Sequence, residues 1–126
     1  MKRGAVGRVG ERRARQFLES AGLTILDANW RSPEGEIDII AAEGDVLVFV
    51  EVKTRRGLRF GSPEESITRG KRRRLQRAAL AYLQSHERID SLWRIDVITI
   101  LGDPRQSQAR LEHLVDAVEA DESSLW

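Results

Sequence analysis

Cysteine is absent from the 126-residue chain, and only three prolines occur in it. Without cysteine there can be no disulfide framework, zinc finger, iron–sulfur site or thiol nucleophile, a pattern consistent with a reducing compartment. No repeat, low-complexity tract or Pro/Ser-rich linker interrupts the sequence, so no internal domain boundary is drawn. The longest strongly apolar run, Val46-Leu47-Val48-Phe49-Val50, is far too short to span a membrane, and the opening MKRGAVGRVG lacks the apolar core of a signal peptide. A cytoplasmic protein without membrane association is expected. Histidine is equally scarce: His86 and His113 stand too far apart in sequence to suggest a local metal motif.

What is present is charge, 33% of residues, beside 40% hydrophobic residues, a balance that fits one globular domain. A domain of this length buries roughly two-thirds of its unfolded surface and needs neither a disulfide nor a structural metal to fold. Any acidic cluster is then free for chemistry. The expected core runs from about residue 5 to 118, followed by an acidic tail over 119–126 that ends in Trp126. The net charge of +1 hides strong segregation. Residues 1–16 carry six bases and one acid, 32–51 carry six acids and no base, and 53–77 carry ten bases and two acids. An acidic stretch between two basic ones suits a place where cations and phosphates meet.

Apolar spacing at Ala14, Phe17, Leu18 and Ala21 predicts an amphipathic helix from about Arg8 to Ala21, with Gly22 as its stop. Leu23 to Trp30 reads as a strand and Ser32-Pro33-Glu34-Gly35 as a turn. Ile37–Ala41 and Val46–Thr54 are β-rich runs joined by a hairpin loop at 42–45. Ser62-Pro63-Glu64-Glu65 carries helix-start signals, and a second helical segment from about Lys71 to Ser85 presents Leu75, Ala78, Ala79, Tyr82 and Leu83 on one stripe. Trp93–Leu101 is a further strand, and Leu111–Val118 a last, short one. The expected fold is α/β, a mixed sheet flanked by helices in the order αβββαβ(β).

The hairpin carries the chemistry. With a two- or four-residue loop there, residue i pairs with residue 87 minus i, which places Glu36, Asp38, Phe49, Glu51 and Lys53 on one face and Ile37, Ile39, Val48, Val50 and Val52 on the other. The opposite parity would bury Asp38 among valines as an unpaired charge. Asp38 and Glu51 become diagonal neighbours on an exposed face, roughly 7–8 Å apart at the backbone. Like charges this close repel by about 1–4 kcal/mol unless a cation lies between them. Oxygen ligands without His or Cys select Mg²⁺ or Mn²⁺ rather than zinc. Lys53 projects from the same face and can hold an attacking water or neutralise charge developing on a phosphate.

Gly10-Glu11, Gly35-Glu36-Ile37-Asp38, Phe49-Val50-Glu51-Val52-Lys53-Thr54-Arg55, Phe60-Gly61 and Arg94-Ile95-Asp96-Val97 occur in this order. Together they resemble the YraN-like family of small bacterial proteins, itself similar to archaeal Holliday junction resolvases among the restriction-endonuclease-like PD-(D/E)xK nucleases. The resemblance covers roughly residues 5 to 101. It implies Asp38 as a metal-binding aspartate, Glu51 as a second ligand, Lys53 as a catalytic lysine and Glu11 as an additional catalytic acid. The Val52 backbone carbonyl, Glu11 and Glu36 complete the expected ligand set, and structured or branched DNA is the implied substrate. Ile37 stands where the family's name motif has proline. The spacing of Gln76 and Tyr82 departs from the Q-x-x-x-Y element of RecB-like nucleases.

Candidate phosphate contacts are Arg8, Arg12 and Arg15 on the first helix, Arg55, Arg56 and Arg59 after the site strand, and Lys71, Arg72 and Arg73 on the second helix. Lys71 also falls on the extrapolated apolar stripe, which would turn it inward. Trp30, Trp93 and Tyr82 read as core rather than base-stacking platforms, and Asp96 as an interior acid satisfied by backbone donors. The expected activity is metal-dependent endonucleolytic hydrolysis, with nucleic acid, in particular DNA, as partner and a homodimer left open. Its rivals are a nuclease-fold binding module without turnover and a scaffold that uses the acidic tail to hold a partner.

Overall fold

The computed structural model describes residues 4–55 and 68–118. The helix start expected at Ser62, the phosphate contacts Arg56 and Arg59, and the acidic tail lie outside the described residues. The chain runs α1 (Ala5–Ser20), β1 (Thr24–Ser32), β2 (Gly35–Glu43), β3 (Val46–Arg55), α2 (Arg69–Ser85), β4 (Leu92–Leu101) and β5 (Arg110–Leu114). The strands form one sheet in the order β1-β2-β3-β4-β5. Neighbours are antiparallel except β3 and β4, which are parallel and therefore need a crossover, which α2 provides. The expected α/β arrangement is borne out, with the seventh element a true strand.

Alternation along the central strands sorts their side chains to two helices. Leu47 and Phe49 of β3, with Ile95 and Val97 of β4, pack under Leu75, Ala78, Ala79, Tyr82 and Leu83 of α2. Val48 and Val50, with Ile98 and Ile100, pack under Ala14 and Leu18 of α1. The sheet is thus covered on both faces, and the stripe predicted for α2 is buried in full. Trp30 and Phe49 meet Tyr82 edge to face at 5.4 and 5.6 Å, and Trp93 meets Phe49 at 5.9 Å, so these aromatics are core. Phe17 departs from the predicted stripe. It stays 37% exposed at the margin of α1, with its ring edge-on to His113 at 5.7 Å.

Three expectations for the hairpin need correction. Its loop is the two-residue alternative, placed at Gly44-Asp45, where Gly44 at φ 59° supplies the positive dihedral that a two-residue hairpin requires at its first central position. Pairing consequently follows Glu43↔Val46 through Ile39↔Val50, residue i facing 89 minus i rather than 87 minus i, and the ladder ends just before Asp38 and Glu51. Ile37 and Ile39 were expected on one face. Instead Ile37 packs with the α2 cluster and Ile39 with the α1 cluster, because regular β2–β3 pairing ends at Ile39 and Asn29 of β1, in the stretch facing Asp38, adopts φ 54°. Finally, the carboxylate face is not exposed: α2 crosses it, and Asp38 is only 4% accessible. Among the described residues no helix is long and apolar enough to cross a membrane.

Candidate functional site

Where β2 and β3 separate, a side chain takes over from the ladder. Asp38 Oδ2 accepts a hydrogen bond from the Val52 backbone N–H at 2.8 Å, satisfying a donor that regular pairing would otherwise use. This fixes the carboxylate at the mouth of the gap. The alternation that buries Leu47 and Phe49 beneath α2 carries Glu51 and Lys53 to the same side. Glu51 is half-buried and its carboxyl is hydrogen-bonded to that of Asp38. Burial, then the charge of Asp38 and that hydrogen bond, push the Glu51 pKa from 4.5 to about 8, against the opposing pull of Lys53 and Lys71. Two carboxyl groups in contact cannot both ionise cheaply, so Glu51 keeps its proton to about pH 8.

This has a consequence for stability. Below pH 4.5 Glu51 is protonated in both the folded and the unfolded chain. Between 4.5 and about 8 the folded chain alone keeps the proton, so metal-free stability falls as pH rises and levels off above 8. Thermal unfolding in chelator from pH 5 to 9 should show that decline, and Glu51→Gln should flatten it. An identical slope in the variant would contradict the shared proton.

Two lysines meet beside the pair. Lys53 continues β3, and Lys71 reaches the same spot from the first turn of α2, its ammonium within hydrogen-bonding reach of Lys53. Burial first, then the Lys53 charge, hold Lys71 below its ordinary pKa, while Glu51 acts in the opposite sense. Gly35 positions the helix: a Cβ there would stand 3.4 Å from the Arg74 carbonyl oxygen and 3.6 Å from the Ala78 Cβ, and its φ of 149° disfavours side chains. The glycine of Gly35-Glu36-Ile37-Asp38 thus lets α2 lie close on β2. Lys71 was expected among general phosphate contacts, and its inward stripe position was the hint of this deeper placement. A second hint lies in composition, since the chain has only three lysines against eighteen arginines.

Glu11 comes from the opposite helix. It is 5% exposed and lines a cleft of about 360 Å³ together with Lys53, Val52, Thr54, Gly102 and Asp103. Gly10 makes this possible, because a Cβ at that position would lie 2.8 Å from Thr54 Oγ1. Lys53 therefore borders both the carboxylate pair and the Glu11 cleft. The far wall of the cleft belongs to the β4–β5 loop, which Arg13 pins to α1 by donating to the carbonyls of Pro104 (3.3 Å), Gln106 (3.0 Å) and Ala109 (3.0 Å). Arg13 and Asp103 escaped the sequence reading, since nothing local in the sequence joins a helix to a loop ninety residues on.

The remaining expected residues scatter. Glu36 pairs with Arg31 of β1 at 3.7 Å. Arg8 and Arg12 are exposed on α1 and Arg15 is half-buried; Arg55, half-buried, closes β3. Arg72 and Arg73 are exposed at the start of α2. Asp96 is fully buried and satisfied by more than the backbone: it accepts from Arg94 at 2.9 and 3.2 Å and from the Asp116 N–H at 2.9 Å, with His113 Nε2 at 2.8 Å.

The donor set suits a hard divalent cation: contacting carboxylates, no histidine or cysteine, and a proton shared where a cation would serve. Asp38 and Glu51 would hold it, with the Val52 carbonyl as the further donor that the resemblance implies. Among the described residues no three His, Asp or Glu side chains converge as a metal cluster, so Glu11 stands apart from the pair.

The chain matches the group described as uncharacterised protein family UPF0102 over residues 10–100, a span that takes in Glu11, Asp38, Glu51, Lys53 and Lys71. It is 48% identical over 110 residues to a UPF0102 protein of Beutenbergia cavernae, covering 87% of this chain and 92% of that relative. A Rhodococcus jostii relative is 51% identical over 114 residues (90% and 95%), and one from Caldicellulosiruptor saccharolyticus 45% over 100 residues (79% and 85%). The resemblance read from ordered motifs is borne out, and the chain belongs to the UPF0102, or YraN-like, family.

Proposed function

We propose that this protein is a Mg²⁺- or Mn²⁺-dependent endonuclease that hydrolyses nucleic-acid phosphodiesters, with structured or branched DNA as the substrate the resemblance points to. The observation that carries the reading is the contact between the Asp38 and Glu51 carboxyl groups with Lys53 alongside. A bound divalent ion would supply Lewis-acid polarisation of a phosphoryl oxygen. The protein's own groups do the rest. The Val52 N–H fixes Asp38, so the carboxylate needs no reorientation when it takes up charge. Glu51 would have to release its proton to solvent for its carboxylate to hold such an ion. Lys53 offers an ammonium to the phosphate as negative charge grows on its oxygens, in a partly dry setting that strengthens the interaction.

The decisive test is a cleavage panel of single-stranded, duplex, flap and four-way substrates with Mg²⁺ and with Mn²⁺. Metal-dependent cuts in any of them support the reading. Salt-sensitive binding without cleavage would instead identify a silent binding module, and neither binding nor cleavage a scaffold.

Arg72 and Arg73 extend the argument to affinity. Exposed at the start of the helix that covers the site, they suit sequence-independent phosphate contacts. Replacing both by alanine should weaken DNA binding in Ca²⁺ for every sequence and lower the slope of log affinity against log salt by roughly two. An unmoved slope would assign them to solvent.

A further inference from the structure

A second cleft, open to solvent and about 420 Å³ in volume, lies between α1 and the β4–β5 loop. The loop serves both clefts: Gly102 and Asp103 wall the one that holds Glu11, and residues 104–107 wall the other. From α1 come Val9, Arg12, Arg13 and Gln16, whose i, i+3, i+4, i+7 spacing puts them on one stripe of the helix. Arg13 builds the cleft as well as lining it. By donating to the Pro104, Gln106 and Ala109 carbonyls it fixes the height of the loop beside the helix.

Three guanidinium groups line this cleft, and none of its described lining residues is an acid. The bonds of Arg13 to neutral carbonyl oxygens orient it without cancelling its charge. Arg105 is oriented from the other cleft: its Nε donates to Asp103 Oδ1 at 2.9 Å and its Nη2 to Asp103 Oδ2 at 2.7 Å. The Arg105 backbone N–H also donates to Asp103 Oδ1 at 2.9 Å, so the pair is locked onto the loop. Among the described residues Nη1 of Arg105 makes no hydrogen bond, which leaves one arm of the fork for a ligand. Pinning the loop requires Arg13 alone and gives no reason for Arg12 and Arg105 to meet at the same cleft. A phosphodiester does, since its paired anionic oxygens match the planar donors of arginine.

We infer that the cleft of Arg12, Arg13 and Arg105 is a second phosphate-binding site, which takes a phosphodiester of the nucleic-acid strand flanking the one that is cut. The inference deepens the nuclease reading and, in placing that phosphate relative to the reacting one, rests on it. The affinity of the cleft for a strand can be tested separately. Asp103 lines the Glu11 cleft and orients Arg105 in the second, so one loop sets the spacing between the two phosphates. Every contact is to the backbone, and the site is indifferent to base sequence.

The test uses the full chain with isotope-labelled arginine, followed by NMR at the side-chain Nε–H while a short single-stranded oligothymidylate is added without divalent metal. Arginine-to-lysine variants assign the signals. The Arg12, Arg13 and Arg105 signals should move together with one dissociation constant, and potassium chloride at equal ionic strength should leave them in place. Arg12→Ala combined with Arg105→Ala, with Arg13 kept so that the loop stays seated, should weaken binding roughly tenfold or more, in line with loss of charge-assisted contacts. Should that variant fold poorly, Arg12→Gln alone, at an exposed helical position, makes the same comparison. Arg88→Ala, which removes an exposed charge just before β4, at the opposite end of that strand from the loop, should leave affinity unchanged. Unchanged affinity in the Arg12 variants, or Arg12 and Arg105 signals indifferent to the oligonucleotide, overturns the inference. In single-turnover cleavage the double variant should need roughly tenfold more enzyme to reach half its maximal rate, and that maximal rate should match the parent's. A lowered maximal rate at unchanged affinity would place these arginines in the chemistry and likewise overturn a flanking site. Should the wild-type chain cleave none of the panel, the nuclease reading falls while the oligonucleotide titration still decides the cleft.

Discussion

Asp38→Asn and Glu51→Gln should each abolish cleavage and divalent-metal binding while leaving the fold as stable as before, or more so. Asparagine retains an oxygen where Asp38 accepts from the Val52 N–H, so the bond that bridges the separating strands survives. Glu51→Gln puts a permanently neutral amide where the folded chain otherwise holds a proton to about pH 8, and Asp38→Asn removes a charge that helps raise that pKa. Removing repulsion from a half-dry site is stabilising in the metal-free protein. The same change removes a ligand. Mn²⁺ affinity should therefore fall by more than the roughly 10–100-fold that outer-shell substitutions cause. Calorimetric titration with Mn²⁺ and thermal unfolding in chelator measure the two effects on the same samples. Metal affinity at the wild-type level in both variants would remove the metal assignment. A collapse in stability would instead show that the carboxylate pair is a structural device.

Much of this was legible in the sequence because short-range physics decided it. Leu75, Ala78, Ala79, Tyr82 and Leu83 recur at helical spacing and are buried under α2 as that spacing requires. Val48 and Val50 alternate with Leu47 and Phe49, and the sheet divides them between its two helices. Parity alone was enough to put Glu51 and Lys53 on one side. It was not enough for register, since sums of 87 and 89 have the same parity and only the positive φ of Gly44 chooses the tighter turn. Burial of the carboxylates also escaped, because it depends on α2, which begins at Arg69, well beyond both Asp38 and Glu51 in sequence. Gly35 marked that arrival, but a glycine beside a turn reads first as a turn residue. Lys71 shows the same limit. Its stripe position pointed inward, yet only the crossing of α2 over β2 puts it next to Lys53.

Glu36 has a partner that the strand pattern alone did not name. On a regular strand it shares a face with Asp38, and an acid two residues from a metal ligand is a natural further ligand. Its charge is instead engaged by Arg31 of β1, its facing residue in the β1–β2 ladder. Glu11 travels the other way, remote in sequence yet buried at the cleft that Lys53 borders. The site is therefore assembled by β3: its backbone holds Asp38, its side chains supply Glu51 and Lys53, and its last residues receive Gly10 of α1.

Lys53→Met is expected to reduce single-turnover cleavage by roughly 10²-fold or more while leaving strand pairing and DNA affinity nearly unchanged. Methionine keeps most of the aliphatic stem, and Lys53 lies within the ladder between β3 and β4, opposite Thr99, where the backbone bonds do not depend on its ammonium. What is lost is one positive charge at the point where the carboxylate pair, Lys71 and the Glu11 cleft adjoin. That charge also favours ionised Glu51, so its removal makes the proton harder to displace and shifts metal uptake to higher pH. Cleavage must therefore be compared at saturating Mn²⁺, and binding in Ca²⁺, which should support association without efficient hydrolysis. Under those conditions a fall in rate at constant affinity isolates stabilisation of charge that develops only during reaction. A phosphate contact of the ordinary kind would do the opposite, lowering affinity and the salt slope while sparing the bound-state rate. Cleavage by Lys53→Met at the parental rate would leave Asp38 and Glu51 as a metal site and take the lysine out of the chemistry.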